Sequence, residues 1–159
     1  QTGETANLGV EQNGQVLFVN QVETHATIRA FFPPGTRSRM HASGIGKALM
    51  AQMDGPRIES LLAGYELERY TDHTLTDSTA LRADLEETRR RGYSVDAEER
   101  NLGMRCIAAP VFDIYGEAVA GISVSGPTSR VGLDRIEPIS AAVMQAARAL
   151  SAAIGAAAE

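Results

Sequence analysis

Only one of the 159 residues is cysteine. An intrachain disulfide framework is therefore excluded, and the usage fits a reducing cytosol. No apolar run approaches the length of a bilayer span, and nothing in the chain reads as targeting a membrane. The expectation is a soluble cytoplasmic protein. Positive charge is also scarce: 15 Lys and Arg stand against 20 Asp and Glu, for a net charge of -5. That balance argues against nucleic-acid binding by this chain, because phosphate contacts need clustered cations. Arg89-Arg90-Arg91 is the one locally basic run, and its position after Glu86-Glu87 at the end of a helical pattern reads as a solvated helix terminus. There are no internal repeats. An Ala-rich tail is the only compositional drift, and Gly155 to Glu159 are expected to fray. The length suits one ordinary domain, 1–159.

What is present alternates between strand and helix signals. Thr5 to Glu11 and the run from Val16 to Val19 flank Asn13-Gly14, the strongest short hairpin signal. A third strand is expected from Ala26 to Phe32, ending at Pro33-Pro34-Gly35. Ser43 can cap a helix to about Met53, with Gly55-Pro56 as its stop. Ile58 to Leu62 reads as a short second helix. Ser78 to Arg90 reads as a third, with Leu81 and Leu85 at i,i+4. From Leu133 to Ala153, Ile136, Ile139, Val143, Ala147 and Leu150 fall at helical spacing. The order predicts an α/β (α+β) fold: a central antiparallel sheet of about five or six strands, with helices chiefly on one face.

The segment from Arg91 to Pro127 is the most informative. Met104 to Phe112 and Glu117 to Ser125 are strand-like runs joined by Asp113-Ile114-Tyr115-Gly116, a hairpin turn. Pairing Phe112 with Glu117 sets Cys106 opposite Ser123 and Met104 opposite Ser125, all on one face. The other face carries Ile107, Ala109 and Val111 against Ala118, Ala120, Ile122 and Val124. One face is apolar; the other keeps a thiol and hydroxyls, as a ligand pocket would.

Here the chain resembles the IclR-type transcriptional regulators, whose effector-binding domain carries the pattern GY-x-x-D-x-E-E, then G-x-R-C-I-A-A-P-V-F-D, then I-S-V-S-G-P. Gly92-Tyr93, Asp96, Glu98-Glu99, Gly103, Arg105 to Asp113, Gly116 and Ile122 to Pro127 fit it. Upstream, the segment from Met40 to Ala48 resembles the family's H-A-[ST]-x-x-G-K-A helix start. Two long motifs in the right order are far more specific than one short match. The resemblance covers essentially the whole chain and implies a GAF-like fold. It also implies a winged helix-turn-helix domain ahead of this region. The chain starts at Gln1, already leading into a strand, and carries no three-helix basic module, so it reads as the sensor half of a longer protein.

The resemblance further implies that Gly44, Ile45, Asp96, Met104, Cys106, Ser123 and Ser125 contact or surround the effector. Read by themselves, these residues leave alternatives open. Asp96 could accept hydrogen bonds from a ligand hydroxyl or hydrate, or cap a loop. Ser123 and Ser125 could donate to a carboxylate, or bond nearby backbone. Cys106 fits a pocket wall better than a nucleophile, since no neighbouring base explains an activated thiol. Met104 offers an adaptable apolar wall or ordinary core. Gly44-Ile45-Gly46 could bring backbone N–H groups to an anion or serve close packing, and Ile45 narrows the site toward a compact effector. Lys47 reads as solvated. His41, next to the helix, reads as a backbone-bonded histidine rather than a metal ligand, because no paired ligand spacing accompanies it. A Cys- or Ser-dependent hydrolase lacks a local signature.

The expectation is thus an effector-binding and oligomerisation domain, not an enzyme, with no cofactor. It would sense a small organic acid, foremost a 2-oxo acid such as glyoxylate or pyruvate. An aromatic effector is the alternative, since Phe31 and Phe32 border the site. A homodimer or tetramer is expected, reaching DNA only through the N-terminal domain.

Overall fold

The computed structural model describes residues 1–157. Six antiparallel strands form one curled sheet: β1 Thr5–Gln12, β2 Gln15–Val22, β3 Arg37–Arg39, β4 Ser94–Ala97, β5 Met104–Phe112 and β6 Ala118–Pro127, in the order β3-β2-β1-β6-β5-β4. Four α-helices accompany it: α1 Gly44–Met50, α2 Gly55–Ala63, α3 Ser78–Arg91 and α4 Ile136–Ala153. This is the α/β fold expected, with α1, α2 and α3 over one face and α4 alone on the other.

The hairpin turns follow from residues that tolerate the left-handed region. Asn13 (φ 54) and Gly14 (φ 75) make the two-residue link between β1 and β2, with Gln12 paired to Gln15. At the β5–β6 turn, Asp113 Oδ1 accepts from the N–H groups of Tyr115 at 2.8 Å and Glu117 at 3.0 Å. Phe112 pairs with Ala118 instead of Glu117, and an irregularity at Val111/Phe112 adds a second residue of slip, so that Val111 pairs with Ala120. Cys106 consequently lies opposite Ser125, Ala108 opposite Ser123, and Met104 opposite Pro127. From Val111 back to Met104 the slip is two residues along β6, which changes partners but keeps those side chains on their expected faces; Ala118, beyond the irregularity, moves to the α1 side.

The stripe on α4 behaves as its spacing requires. Ile139, Val143 and Ala147 are buried against Ile107, Ala109, Val111 and Val124, with Ile136 and Leu150 at the margin. On the opposite face Ile45, Leu49, Ile58, Leu81 and Leu85 join Val16, Phe18 and Ala108 in a second apolar cluster. The basic end of α3 is solvated as expected, with Arg90 paired to Glu87 and Gly92 (φ 89) closing the helix.

Three local readings change. Ala26 to Phe32 is not a strand; residues 23–36 are irregular, and the edge position goes to β3 after the Pro33-Pro34-Gly35 turn. Gly55-Pro56 starts α2 rather than stopping α1: Asp54 caps it by accepting from Arg57 N at 2.9 Å, and Pro suits a first helical turn whose N–H groups lack partners anyway. At the C-terminus, Gly155 N and Ala156 N donate to Ala152 O and Ser151 O, so the helix closes in a hydrogen-bonded turn instead of fraying there. Ala158 and Glu159 lie outside the described residues.

Candidate functional site

The two ends of the site come from distant parts of the chain that the sheet and α1 bring together. Ser43 caps α1, its Oγ accepting from Gly46 N at 3.2 Å. The cap sets the start of the helix down on β5, an approach that requires a bare Gly44: a Cβ there would lie 2.6 Å from Cys106 Sγ. Gly46 is needed for a different contact, since its Cβ would lie 2.3 Å from Met40 O. Ile45 presses on Gly121 of β6, where a Cβ would meet its Cγ2 at 2.7 Å.

Between α1 and the sheet lies a small, partly open cavity of ≈ 20 Å³. Space of that size holds about one or two waters before neighbouring side chains must move. Its polar wall consists of Ser123, Ser125, Cys106, Asp96, Ser38 and Ser43; Arg100 stands at its edge, and Phe18, Phe32, Ala42, Gly44 and Ile45 supply the rest. Six of the seven residues expected at the site, Gly44, Ile45, Asp96, Cys106, Ser123 and Ser125, therefore converge on one cavity. Met104 shares the face of Cys106 by alternation but does not line the cavity, being at the strand end opposite Pro127.

The chemistry of this wall is set by burial. The Asp96 carboxyl is pushed up to about 7, chiefly by desolvation and then by the charge of Glu99, against the pull of Lys47. Its Oδ1 accepts from Glu99 N at 2.8 Å. Near neutrality it can thus either accept a hydrogen bond as a carboxylate or donate one as an acid. Burial raises the Cys106 thiol to about 11, and the charge of Asp96 adds to the effect. Such a thiol is neutral at physiological pH and a poor nucleophile. The Ser123 hydroxyl sits beside the sulfur and eases that rise slightly, yet its Oγ has no hydrogen-bond partner of ordinary geometry.

Lys47 corrects the sequence reading most sharply. It is fully buried, and its Nζ meets Glu99 Oε1 at 2.8 Å, Asp84 Oδ2 at 2.9 Å and Val95 O at 2.6 Å. Burial works against its charge, but Glu99 and Asp84 outweigh it, and its pKa lies above the ordinary lysine value. The ammonium locks α1 to α3, to β4 and to the loop that follows it. His41 is the backbone-bonded histidine its position suggested, with Nε2 2.8 Å from Glu68 O, and burial lowers its pKa. Among the described residues no three His, Cys, Asp or Glu side chains are gathered as metal ligands.

Arg100 and Phe18 line the cavity without a sequence signal strong enough to single them out, whereas Phe32 was expected to border it. Arg100 is held by the face of Tyr70, 4.0 Å from the ring centroid. The Phe18 and Phe32 rings stack with centroids 4.9 Å apart and both line the cavity. Phe32 belongs to the irregular strap of residues 23–36, which is pinned by Thr5 Oγ1 donating to Ala30 O at 2.9 Å and by Arg130 Nη2 donating to Ile28 O at 2.6 Å. Phe31, its neighbour, points to solvent and is 59% exposed.

A curled sheet closed by a helix over hydroxyls, a carboxyl and an arginine that line one cavity has the form of a small-molecule-binding site. The family model of the "Bacterial transcriptional regulator IclR C-terminal" matches residues 1–152, and the chain belongs to the IclR family. It is 61% identical over 150 residues to the HTH-type transcriptional regulator BhcR of Paracoccus denitrificans, covering 94% of this chain and 54% of the relative. Identity to the transcriptional repressor IclR of Escherichia coli is 41% over 157 residues, covering 98% and 57%. The crystal structure of the Thermotoga maritima IclR superposes with a TM-score of 0.92 at 30% identity, over 97% of this chain and 62% of that one. The chain spans about half the length of these curated relatives, which are transcriptional regulators and not enzymes. No described helix is long and apolar enough to cross a membrane.

Proposed function

We propose that this chain is the effector-binding half of a transcriptional regulator that senses a small organic acid, with a 2-oxo acid such as glyoxylate or pyruvate as the first candidate. The observation that carries the reading is the small cavity that Ser123, Ser125, Asp96 and Arg100 line together. Serine hydroxyls rotate to donate to a carboxylate, and a guanidinium adds charge-assisted donors. An acid of a few non-hydrogen atoms needs only modest rearrangement of a ≈ 20 Å³ space, whereas an aromatic ring needs Phe18, Phe32 or the strap to move aside. The volume therefore favours the compact acid over the aromatic alternative.

The effector acts by linkage. A ligand that binds one arrangement of paired sensor domains more tightly than another shifts the population of both, and with it the spacing of DNA-binding domains attached to them. This division of labour suits an acidic chain whose relatives carry the name HTH-type regulator. DNA contact belongs to an N-terminal winged helix-turn-helix domain, and self-association to a dimer or tetramer follows from the symmetry of palindromic sites. Localisation is cytoplasmic. Calorimetric titration with glyoxylate, pyruvate and aromatic acids tests the ligand class: saturable binding of a 2-oxo acid supports it, and binding of aromatic acids alone overturns it. Light scattering of the same protein reads the assembly, where a strict monomer at high micromolar concentration refutes the oligomer.

A further inference from the structure

The polar wall of the site does not stop at the cavity. Ser123 on β6 pairs with Asn7 on β1, and Asn7 pairs in turn with Gln21 on β2. Directly opposed residues of an antiparallel ladder present their side chains on the same face, within about 4.5–5.5 Å at Cβ. The Asn7 side chain therefore lies one strand further along the face that Ser123 presents to the cavity. It is buried, with 3% of its surface exposed, and neither its Nδ2 nor its Oδ1 has a hydrogen-bond partner. Ser123 Oγ on one side and Gln21 Nε2 on the other are likewise without partners.

This is not how the rest of the same face is built. Two residues along β1, Thr5 donates to Ala30 O, and on β4 the Ser94 hydroxyl donates to Gly44 O. Where a polar side chain on this face has a structural task, the protein gives it a partner. A buried amide left empty at both ends is costly, because each unmet group forfeits the hydrogen bonds it had in water. Leucine or valine at that position would pack without the cost. An amide offers two donors beside one acceptor, which is the complement of a molecule carrying a carboxylate next to a second oxygen.

We propose that Asn7 is a ligand-contacting, specificity-determining residue that reads the oxygen adjacent to the carboxylate of the effector. The site thereby separates 2-oxo and 2-hydroxy acids from plain carboxylates of the same size. Ser125 and Arg100 serve any carboxylate; Asn7, with Ser123 beside it, serves the second oxygen. The inference rests on the small-acid reading above and narrows it.

The test is a titration of the 159-residue chain with glyoxylate, glycolate and acetate, for the unsubstituted protein and for Asn7→Leu, Asn7→Ala and Ser125→Ala. The unsubstituted chain should prefer glyoxylate and glycolate over acetate. Asn7→Leu and Asn7→Ala should lose about tenfold or more in affinity for the first two, leave acetate nearly unchanged, and so flatten the preference. Ser125→Ala should weaken all three acids alike. Thermal melting without ligand separates a structural role: Asn7→Leu should melt at or above the unsubstituted chain, since an unmet amide has been replaced by an apolar group. A preference retained in both Asn7 variants while Ser125→Ala loses binding overturns the role of Asn7 and leaves the site standing. Lowered melting with an unchanged preference assigns Asn7 to structure and also overturns it. Absence of binding of any acid by the folded, unsubstituted chain overturns the small-acid reading and this inference together.

Discussion

The two faces of β5 and β6 are made from the same residues in alternation, and they are built to opposite rules. Toward α4, Ile107, Ala109, Val111 and Val124 are packed against Ile139, Val143 and Ala147, and the buried polar groups beside them are tied to backbone: Arg105 donates to Val131 O and Ser151 Oγ accepts from Phe112 N. Toward α1, the alternate positions are Cys106, Ala108, Ser123 and Ser125, joined by Asp96 and Asn7 from the neighbouring strands. The first face is chiefly core; the second, beside the apolar cluster around Ile45 and Leu49, carries the unmet hydrogen-bonding groups of Asn7 and Ser123, which a ligand or water can use. A fold that needed both faces for stability would have made both apolar. Keeping polar groups on one costs stability and leaves a site, the trade found wherever function sits on a rigid scaffold.

The sharpest exception on the α1 side is Lys47, a polar group that is fully satisfied, and removing it should have the largest effect. Lys47→Met leaves Glu99 buried without its cation, and the expected loss is about 3–5 kcal/mol of stability. A urea unfolding curve reads it directly. If the variant were as stable as the parent, the polar face would contain no structural ion pair and the contrast between faces would lose its main qualification. Next in size comes a cut into the α4 face: Ile139→Ala should cost about 2–5 kcal/mol by the lost burial and the cavity left behind. Ligand affinity per folded molecule should stay the same. A change of affinity here would mean that the faces are coupled.

Truncations inside the cavity should reverse that pattern. Ser123→Ala, Ser125→Ala and Asp96→Asn should each lower affinity for a small acid by about 1–3 kcal/mol, because each removes a polar partner in a desolvated site. Their melting temperatures should change little or rise. Variants that all bind as the parent does would move the ligand elsewhere.

How much of this was legible beforehand follows from how local each signal is. The α4 stripe and the Asn13-Gly14 turn were readable because periodicity and turn chemistry act over a few residues. From Val111 to Met104 the identity of the two faces survived a wrong register, since the slip there was two residues. The strap was misread because Ala26 to Phe32 has strand-like composition; what it lacks is an edge to pair with, and that is a tertiary fact. Asn7 was invisible for an opposite reason. Along β1 it is Thr5, Asn7 and Gly9 that are buried, while Leu8 and Val10 are half-buried on the other side. Ordinary alternation puts the apolar set inward, and a binding face inverts the rule. Lys47 deceived in the same way, since a lysine in a first helical turn reads as solvated until its two carboxylate partners arrive from α3 and the loop after β4.

Acidity offers a subtler contrast between the faces, because only the α1 side holds a displaced carboxyl. The folded value for Asp96, about 7, lies above its ordinary 3.8, so the folded chain binds more protons than the unfolded one between those limits. Its contribution to stability is therefore fully present below about 3.8 and is lost as pH rises through about 7. Melting temperature against pH should fall across this window more steeply for the parent than for Asp96→Asn, in which the group cannot titrate. Parallel curves for the two proteins would show that the carboxyl is not desolvated in the way the cavity requires.

The smallest effect is expected at Cys106, which lies at the centre of the polar face yet behaves as a piece of wall. Its thiol is raised to about 11 by burial and then by the charge of Asp96, and α1 lies over it so closely that Gly44 has no room for a side chain. A neutral, covered thiol contributes volume and weak polarity. Cys106→Ser preserves that volume nearly, and the new hydroxyl has Ser123 and Ser125 at hand, so stability and small-acid affinity should each change by under about 1 kcal/mol. The parent chain should also alkylate slowly with iodoacetamide at neutral pH, and more slowly still when saturated with ligand. Rapid alkylation unaffected by ligand would open the cavity to solvent. Turnover of an acyl or aldehyde substrate that disappears in Cys106→Ser would replace the sensor by an enzyme, and the division of the sheet into a stabilising face and a binding face would need to be redrawn around a nucleophile.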